Sequence, residues 1–233
     1  MHAQSRLDWA SFEPAAIPTK THLAQLGRWL NSLPERPSRA LDIGCGAGSV
    51  VRLLHARGFT VVGIDINAAA LSELRRELRD TVELYERDVA SDAGFALADA
   101  GFDVAVCQLV ASVVGDAQDR AQLLRNAQAA LRPGGALFMS FSGLSADINP
   151  EYAELYTRDA PATGEYGSYF SRDATGRVLY RTHHFSRADI ETLLREVGFD
   201  SIHIEEQIEA SSRRPEQRAR FYYATCARCR DPL

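Results

Sequence analysis

Lysine is almost missing from this 233-residue chain: it occurs once, as Lys20, and arginine supplies the rest of the 26 basic residues. With 31 acidic residues the net charge is −5, which argues against a nucleic-acid partner, since phosphate binding is carried by clustered Lys and Arg. No stretch approaches the roughly 20 apolar residues that a bilayer span needs. The opening Met1-His2-Ala3-Gln4-Ser5-Arg6 is not followed by an apolar run, so neither a membrane span nor a signal peptide is expected. Cysteine is scarce and scattered, at Cys45, Cys107, Cys226 and Cys229, so a disulfide framework is not expected. Cys226 and Cys229 form a C-x-x-C pair, but a zinc site would need two further ligands. The expectation is a cytoplasmic protein with free thiols and no metal. Long single-charge blocks are absent too, and 45% of the residues are hydrophobic, the balance of a folded domain.

What is present is an alternation. A stripe of Leu23, Leu26, Leu30 and Leu33 predicts an N-terminal helix that starts near Thr19-Lys20-Thr21 and is ended by Pro34 and Pro37. From residue 39 onward, short apolar runs read as strands (39–43, 60–64, 82–85, 102–108, 136–141) and periodic segments as helices between them. Arg132-Pro133-Gly134-Gly135 reads as a tight turn, and Ser186 with Asp189 as the cap of a late helix that Gly198 ends. Segments 201–204 and 219–226 read as the last strands. Such alternation predicts an α/β domain with a largely parallel sheet. Residues 1–38 form a helical preface or lid, residues 39–233 the main domain, and residues 142–184 an insertion too long for a plain connection. Within that insertion, 167–171 and 177–182 flank a glycine-containing loop and predict a hairpin.

The first strand runs into Gly44-Cys45-Gly46-Ala47-Gly48 and then a helix. Glycines in that place let the chain turn tightly and let a ligand lie on bare backbone. Asp65 closes the second strand, where a carboxylate can take two hydrogen bonds from a ribose diol. Asp42 sets an acceptor below the loop, and Asp88, after the third strand, lies where a base amine could donate. Asp at strand ends also caps helices, which is the competing role for Asp88.

Leu41-Asp42-Ile43-Gly44-Cys45-Gly46-Ala47-Gly48-Ser49 resembles the first motif of class I S-adenosylmethionine (SAM)-dependent methyltransferases. Val62-Gly63-Ile64-Asp65, Arg87-Asp88-Val89, Phe102–Val106 and Leu131–Gly135 resemble later motifs of that family, and Phe185–Phe199 its late helix and turn. The resemblance implies a three-layer Rossmann-like fold with a seven-stranded, mostly parallel sheet whose last strand is antiparallel. It implies SAM as co-substrate, with Asp42 and the Gly44, Cys45, Gly46 and Gly48 loop on its methionine part and Asp65 on the ribose. Ile66, Asp88 and Val89 would meet the adenine, and Gln108 the amino-acid portion. Gln108 does not begin an N-P-P-F/Y motif, so methylation of DNA bases is not implied.

The expected activity is methyl transfer to N, O or C of a small metabolite. The alternative is a SAM-consuming enzyme that transfers no methyl group and releases methylthioadenosine. An NAD-dependent oxidoreductase is disfavoured by Ser49, which stands where the dinucleotide fingerprint prefers glycine or alanine. A non-catalytic SAM-binding module has no need of the aromatic insertion. Candidate substrate contacts are Tyr152, Tyr156, Arg213 and Arg214; candidate catalytic groups are His183, His184, Tyr169 and Tyr180. The tyrosines have packing as their competing role. Strand alternation turns His183 and His184 to opposite faces, so at most one meets the pocket. Monomer and homodimer both remain open.

Overall fold

Strands β1 (Arg39–Ile43), β2 (Thr60–Asp65) and β4 (Phe102–Gln108) are buried along almost their whole length, as strands covered on both faces must be. The computed structural model describes residues 9–13, 23–33, 38–95, 97, 101–211 and 216–229. With β3 (Glu83–Glu86), β5 (Leu131–Ser142), β8 (Phe199–Ala210) and β9 (Arg218–Arg228), these strands form one seven-stranded sheet in the order β3-β2-β1-β4-β5-β9-β8. The first five are parallel, and β9 runs antiparallel to both β5 and β8. The edge strand β8 buries only Phe199 and Ile204 and carries Glu205, Glu206, Gln207 and Glu209, the polar dressing of a sheet edge.

Helices cover both faces. On one side lie α1 (Leu23–Ser32), α2 (Ser49–Ala56) and α3 (Ala68–Leu78), which bury Leu26, Leu30, Val51, Leu54, Leu71 and Leu74. The expected start of α1 at residues 19–21 and the prolines after it lie outside the described residues. After β4, a four-residue helix α4 (Val110–Val113) precedes α5 (Ala117–Ala130). The second face is closed by α5 and, further along the chain, by the late helix at Arg187–Glu196, through Leu123, Leu124, Ile190 and Leu194. Ser186 and Asp189 cap that late helix reciprocally, as the sequence predicts.

Two departures from expectation have local causes. Residues 132–135 are not a free turn: β5 begins at Leu131, paired to Phe102, with a register shift before Val104. A side chain at Gly135 would stand 2.9 Å from the carbonyl oxygens of Arg132 and Phe102, so glycine lets the strands close there. Beyond β5 the chain leaves the sheet at Gly143 and returns at Phe185, and these residues bridge each other. The excursion contains the expected hairpin, β6 (Ser168–Arg172) and β7 (Val178–His183), and also an unexpected helix, α6 (Glu151–Thr163). The late helix is therefore α7 (Arg187–Glu196).

Gly48, at the start of α2, has φ +83°, and a Cβ there would stand 2.5 Å from Leu74 Cδ1. Gly58 has φ +85° with nothing within 4 Å of a Cβ. Gly48→Ala should therefore cost about 2–4 kcal/mol from left-handed strain plus overpacking. Gly58→Ala should cost only about 1 kcal/mol from the backbone. Urea denaturation of the two variants checks the difference, which equal losses would contradict.

Candidate active site

A cavity of about 680 Å³ lies at the C-terminal ends of β1, β2 and β4, roofed by the 144–184 excursion. Crevices outside the carboxyl ends of parallel strands are where such sheets bind ligands. The floor is the glycine loop. Gly44 and Cys45 donate their amides to the Ile64 carbonyl, and Gly46 donates to Asp65 Oδ2 at 2.7 Å. Gly44 has φ +71° and packs so closely on Val110 that a Cβ would stand 2.4 Å from its Cγ2. The other Asp65 oxygen accepts the Asn67 amide at 2.8 Å. Asn67 caps α3 through its oxygen, while its nitrogen donates to the carbonyls of Trp9 and Phe12. That bond straps residues 9–12 over the cavity, where Trp9 lies 4.6 Å from the Tyr180 ring.

Asp42, Gly44, Cys45, Gly46, Asp65, Ile66, Asp88, Val89 and Gln108 all line this cavity. Gly48 does not; its place is dictated by Leu74 instead. Among the described residues, three buried side-chain atoms without a partner belong to cavity-lining residues: Asp42 Oδ2, Gln108 Nε2 and Trp9 Nε1. A buried polar atom left unpaired costs about 1–3 kcal/mol, so such a set is the mark of a polar ligand's place. Burial pushes the Asp42 carboxyl up to about 8, with the Asp65 charge adding and the Val51 amide opposing. Burial also raises Asp65, against the amides of Asn67, Gly46 and Ile66, and raises the Cys45 thiol well out of nucleophilic range. Asp88 spends one oxygen on the Ala90 amide at 3.0 Å.

The roof is aromatic. Tyr152, Tyr169, Phe170, Tyr180 and His184 line it. Tyr156 sits behind them, fully buried, its hydroxyl 2.7 Å from His184 Nδ1. Tyr169 places its hydroxyl 3.3 Å from His184 Nε2. Burial, then His183, lowers His184 to about 3, so the ring is neutral. His183 turns away from the cavity, contacting Ser168 Oγ at 2.9 Å and lying 3.5 Å from Glu165, and burial lowers it to about 4. Glu165 also pairs with Arg120 and Arg181, which fastens the hairpin to α5. Arg213 and Arg214 lie outside the described residues. Asn67 and Ser112 also line the cavity and were not singled out from sequence. Asn67 carries a readable signal, as the polar residue just before a helix.

Among the described residues no helix is long and apolar enough to cross a membrane, and no group of three or more His, Cys, Asp or Glu is placed to hold a metal. A family profile described as a methyltransferase domain matches residues 19–204. A ubiquinone biosynthesis O-methyltransferase of Stutzerimonas stutzeri is 33% identical over 103 residues, 44% of this chain and 43% of the relative. A malonyl-[acyl-carrier protein] O-methyltransferase of Enterobacter lignolyticus is 32% identical over 149 residues, 63% of this chain and 55% of the relative. The chain thus spans about half the length of the curated relatives it matches. A SAM-dependent methyltransferase of Methanosarcina mazei superposes with a TM-score of 0.77 at 24% identity, over 88% of this chain and 98% of its own. The N-methyltransferase NodS of Bradyrhizobium japonicum, crystallised with S-adenosylhomocysteine, gives 0.63 at 18% identity, over 97% of each chain.

In the ligand-free protein Asp42 keeps its proton at pH values where the unfolded chain has lost it. Stability from this group is therefore complete below the ordinary carboxylate range and is lost as pH rises toward about 8. Asp42→Asn should flatten that slope and raise the melting temperature at about pH 8 by about 3–6 °C. Thermal melts across the pH range check it; parallel slopes would contradict it.

Proposed function

The chain belongs to the methyltransferase-domain family, and we propose that it moves the methyl group of SAM to an oxygen of a small molecule held under the aromatic roof. The observation that carries this reading is a single cavity with two unlike halves. At the floor, the unpaired Asp42 and Gln108 atoms sit beside a glycine loop; at the roof, tyrosines and a neutral histidine make a second chamber. Oxygen is favoured over nitrogen or carbon because both curated relatives described above are O-methyltransferases.

In this reading the Asp42 carboxylate takes the ammonium of the co-substrate, and Gln108 donates toward its carboxylate. The acceptor capacity that Asp65 keeps beyond its backbone bonds serves the ribose hydroxyls. Asp88, Val89 and Ile66 frame the adenine. The chemistry supplied by the sulfonium is an electrophilic methyl carbon. The protein supplies placement, since in-line displacement gains most from holding nucleophile and carbon in register. The N-terminal strap and the roof exclude water, which would otherwise compete for the same methyl.

Asp65→Ala should weaken SAM binding by about 30- to 100-fold, the loss of charge-assisted hydrogen bonds, in a calorimetric titration. Unchanged affinity would sink the assignment. Wild-type protein should also release close to one proton on binding SAM near pH 7, because an ammonium beside Asp42 draws its carboxyl from about 8 to below neutrality. Titrations in buffers of different ionisation enthalpy measure that release, and Asp42→Asn should abolish it. Incubation with SAM alone should yield no methylthioadenosine; its appearance would move the assignment to chemistry within SAM itself.

A further inference from the structure

His184 presents itself as a general base, since an imidazole in a catalytic cavity commonly accepts a proton. Its hydrogen bonds say otherwise. The Ser145 amide can only donate, and it donates to the Tyr156 hydroxyl oxygen at 3.3 Å. The Tyr156 proton is then directed at its other neighbour, His184 Nδ1, at 2.7 Å. The reverse arrangement, with Nδ1 donating, would leave a fully buried phenol proton with no acceptor. Nδ1 is therefore the accepting nitrogen, and in a neutral ring Nε2 carries the hydrogen, facing the Tyr169 hydroxyl oxygen at 3.3 Å, a long contact that an oxygen of a bound acceptor would share or replace. Around the ring lie Tyr152, Tyr156, Tyr169 and His183, and no carboxylate is among them.

The rest of the roof matches a donor. Arg158 and Arg172 line the cavity and share the single carboxylate of Asp159, leaving one positive charge in excess. Asp173, the acidic side chain that the roof adds to the wall, is consumed by Thr175 and Arg177. We infer that His184 is locked as the Nε2–H tautomer and serves to donate a hydrogen bond to the methyl acceptor, which is an apolar or aromatic molecule bearing a carboxylate. This rests on the methyl-transfer reading above and names its substrate class.

A carboxylate needs no base. One oxygen takes the Nε2–H bond while the other attacks the methyl carbon. The new C–O bond forms as the C–S bond breaks, and that electron pair stays on sulfur. The acceptor's negative charge and the sulfonium's positive charge cancel, giving a methyl ester and S-adenosylhomocysteine. No proton has to leave.

Long-range proton–nitrogen NMR on histidine-labelled protein tests the tautomer directly, with His184 assigned by its loss in His184→Gln. Nε2 should carry the proton from about pH 6 to about pH 9, and Tyr156→Phe should redistribute it. A proton on Nδ1, or titration near the ordinary histidine value, overturns the donor role. With S-adenosylhomocysteine bound, benzoate should shift the Nε2–H signal and benzylamine should not. A response to benzylamine, or to neither, overturns the acceptor class. His184→Gln, which keeps an N–H near Nε2, should retain benzoate affinity, whereas His184→Leu should lose about tenfold. Equal losses in both variants mark a merely structural residue. Failure of SAM itself to bind would defeat the methyl-transfer reading while leaving the tautomer result standing.

Discussion

Both oxygens of the Asp65 carboxylate accept backbone amides, one from the glycine loop at Gly46 and one from Asn67 beyond the end of β2. Through Asn67 the same carboxylate reaches the first turn of α3 and, by the Asn67 side-chain nitrogen, the strap at residues 9–12. Four separate segments thus take their positions from one charged group. A carboxylate that accepts several N–H bonds holds them more tightly than a neutral acceptor would. The same amides, of Asn67, Gly46 and Ile66, oppose the desolvation by which burial raises Asp65.

Asp42 is the opposite case. It lies deeper, its Oδ2 has no partner, and it stands near a second carboxylate. Such a group is costly while unpaired and becomes favourable beside a cation. The two aspartates thus differ in their partners, Asp65 being held by backbone amides on both oxygens and Asp42 left with one oxygen unpaired, although both stand at the ends of neighbouring strands. The cavity floor thus holds an unsatisfied buried acceptor, a local violation of the rule that buried polar groups are paired.

The α/β frame was legible because β1, β2 and β4 are continuous apolar runs and the intervening helices show clear stripes. Helix α4 was not, because four residues carry no period. Helix α6 hides behind Pro161 and scattered tyrosines, yet Glu151 and Glu154 in its first turn and the left-handed Gly164 at its end are ordinary boundary signals. The floor of the site lies in compact motifs, so its residues are named through their resemblance to the motifs of a known family. The roof could not be read that way. Tyr152 and Tyr156 are alike in sequence, but one faces the cavity and the other backs His184. The link from Asn67 to Trp9 and Phe12 joins positions more than fifty residues apart, which no local pattern encodes.

Strand alternation at the end of β7 joins anchoring to recognition. His183 points toward Glu165, whose carboxylate also holds Arg120 of α5 and Arg181 of β7. His184, the next residue, points into the cavity. A buried network of this kind adds little net stability, because desolvating the charges offsets most of their attraction, but it tolerates few alternative arrangements. Its effect here is register. Sliding β7 by one residue would send His183 into the cavity and His184 into the ion cluster. The Arg120–Glu165–Arg181 cluster lies off the cavity wall, yet it helps to fix which of the two histidines faces the cavity.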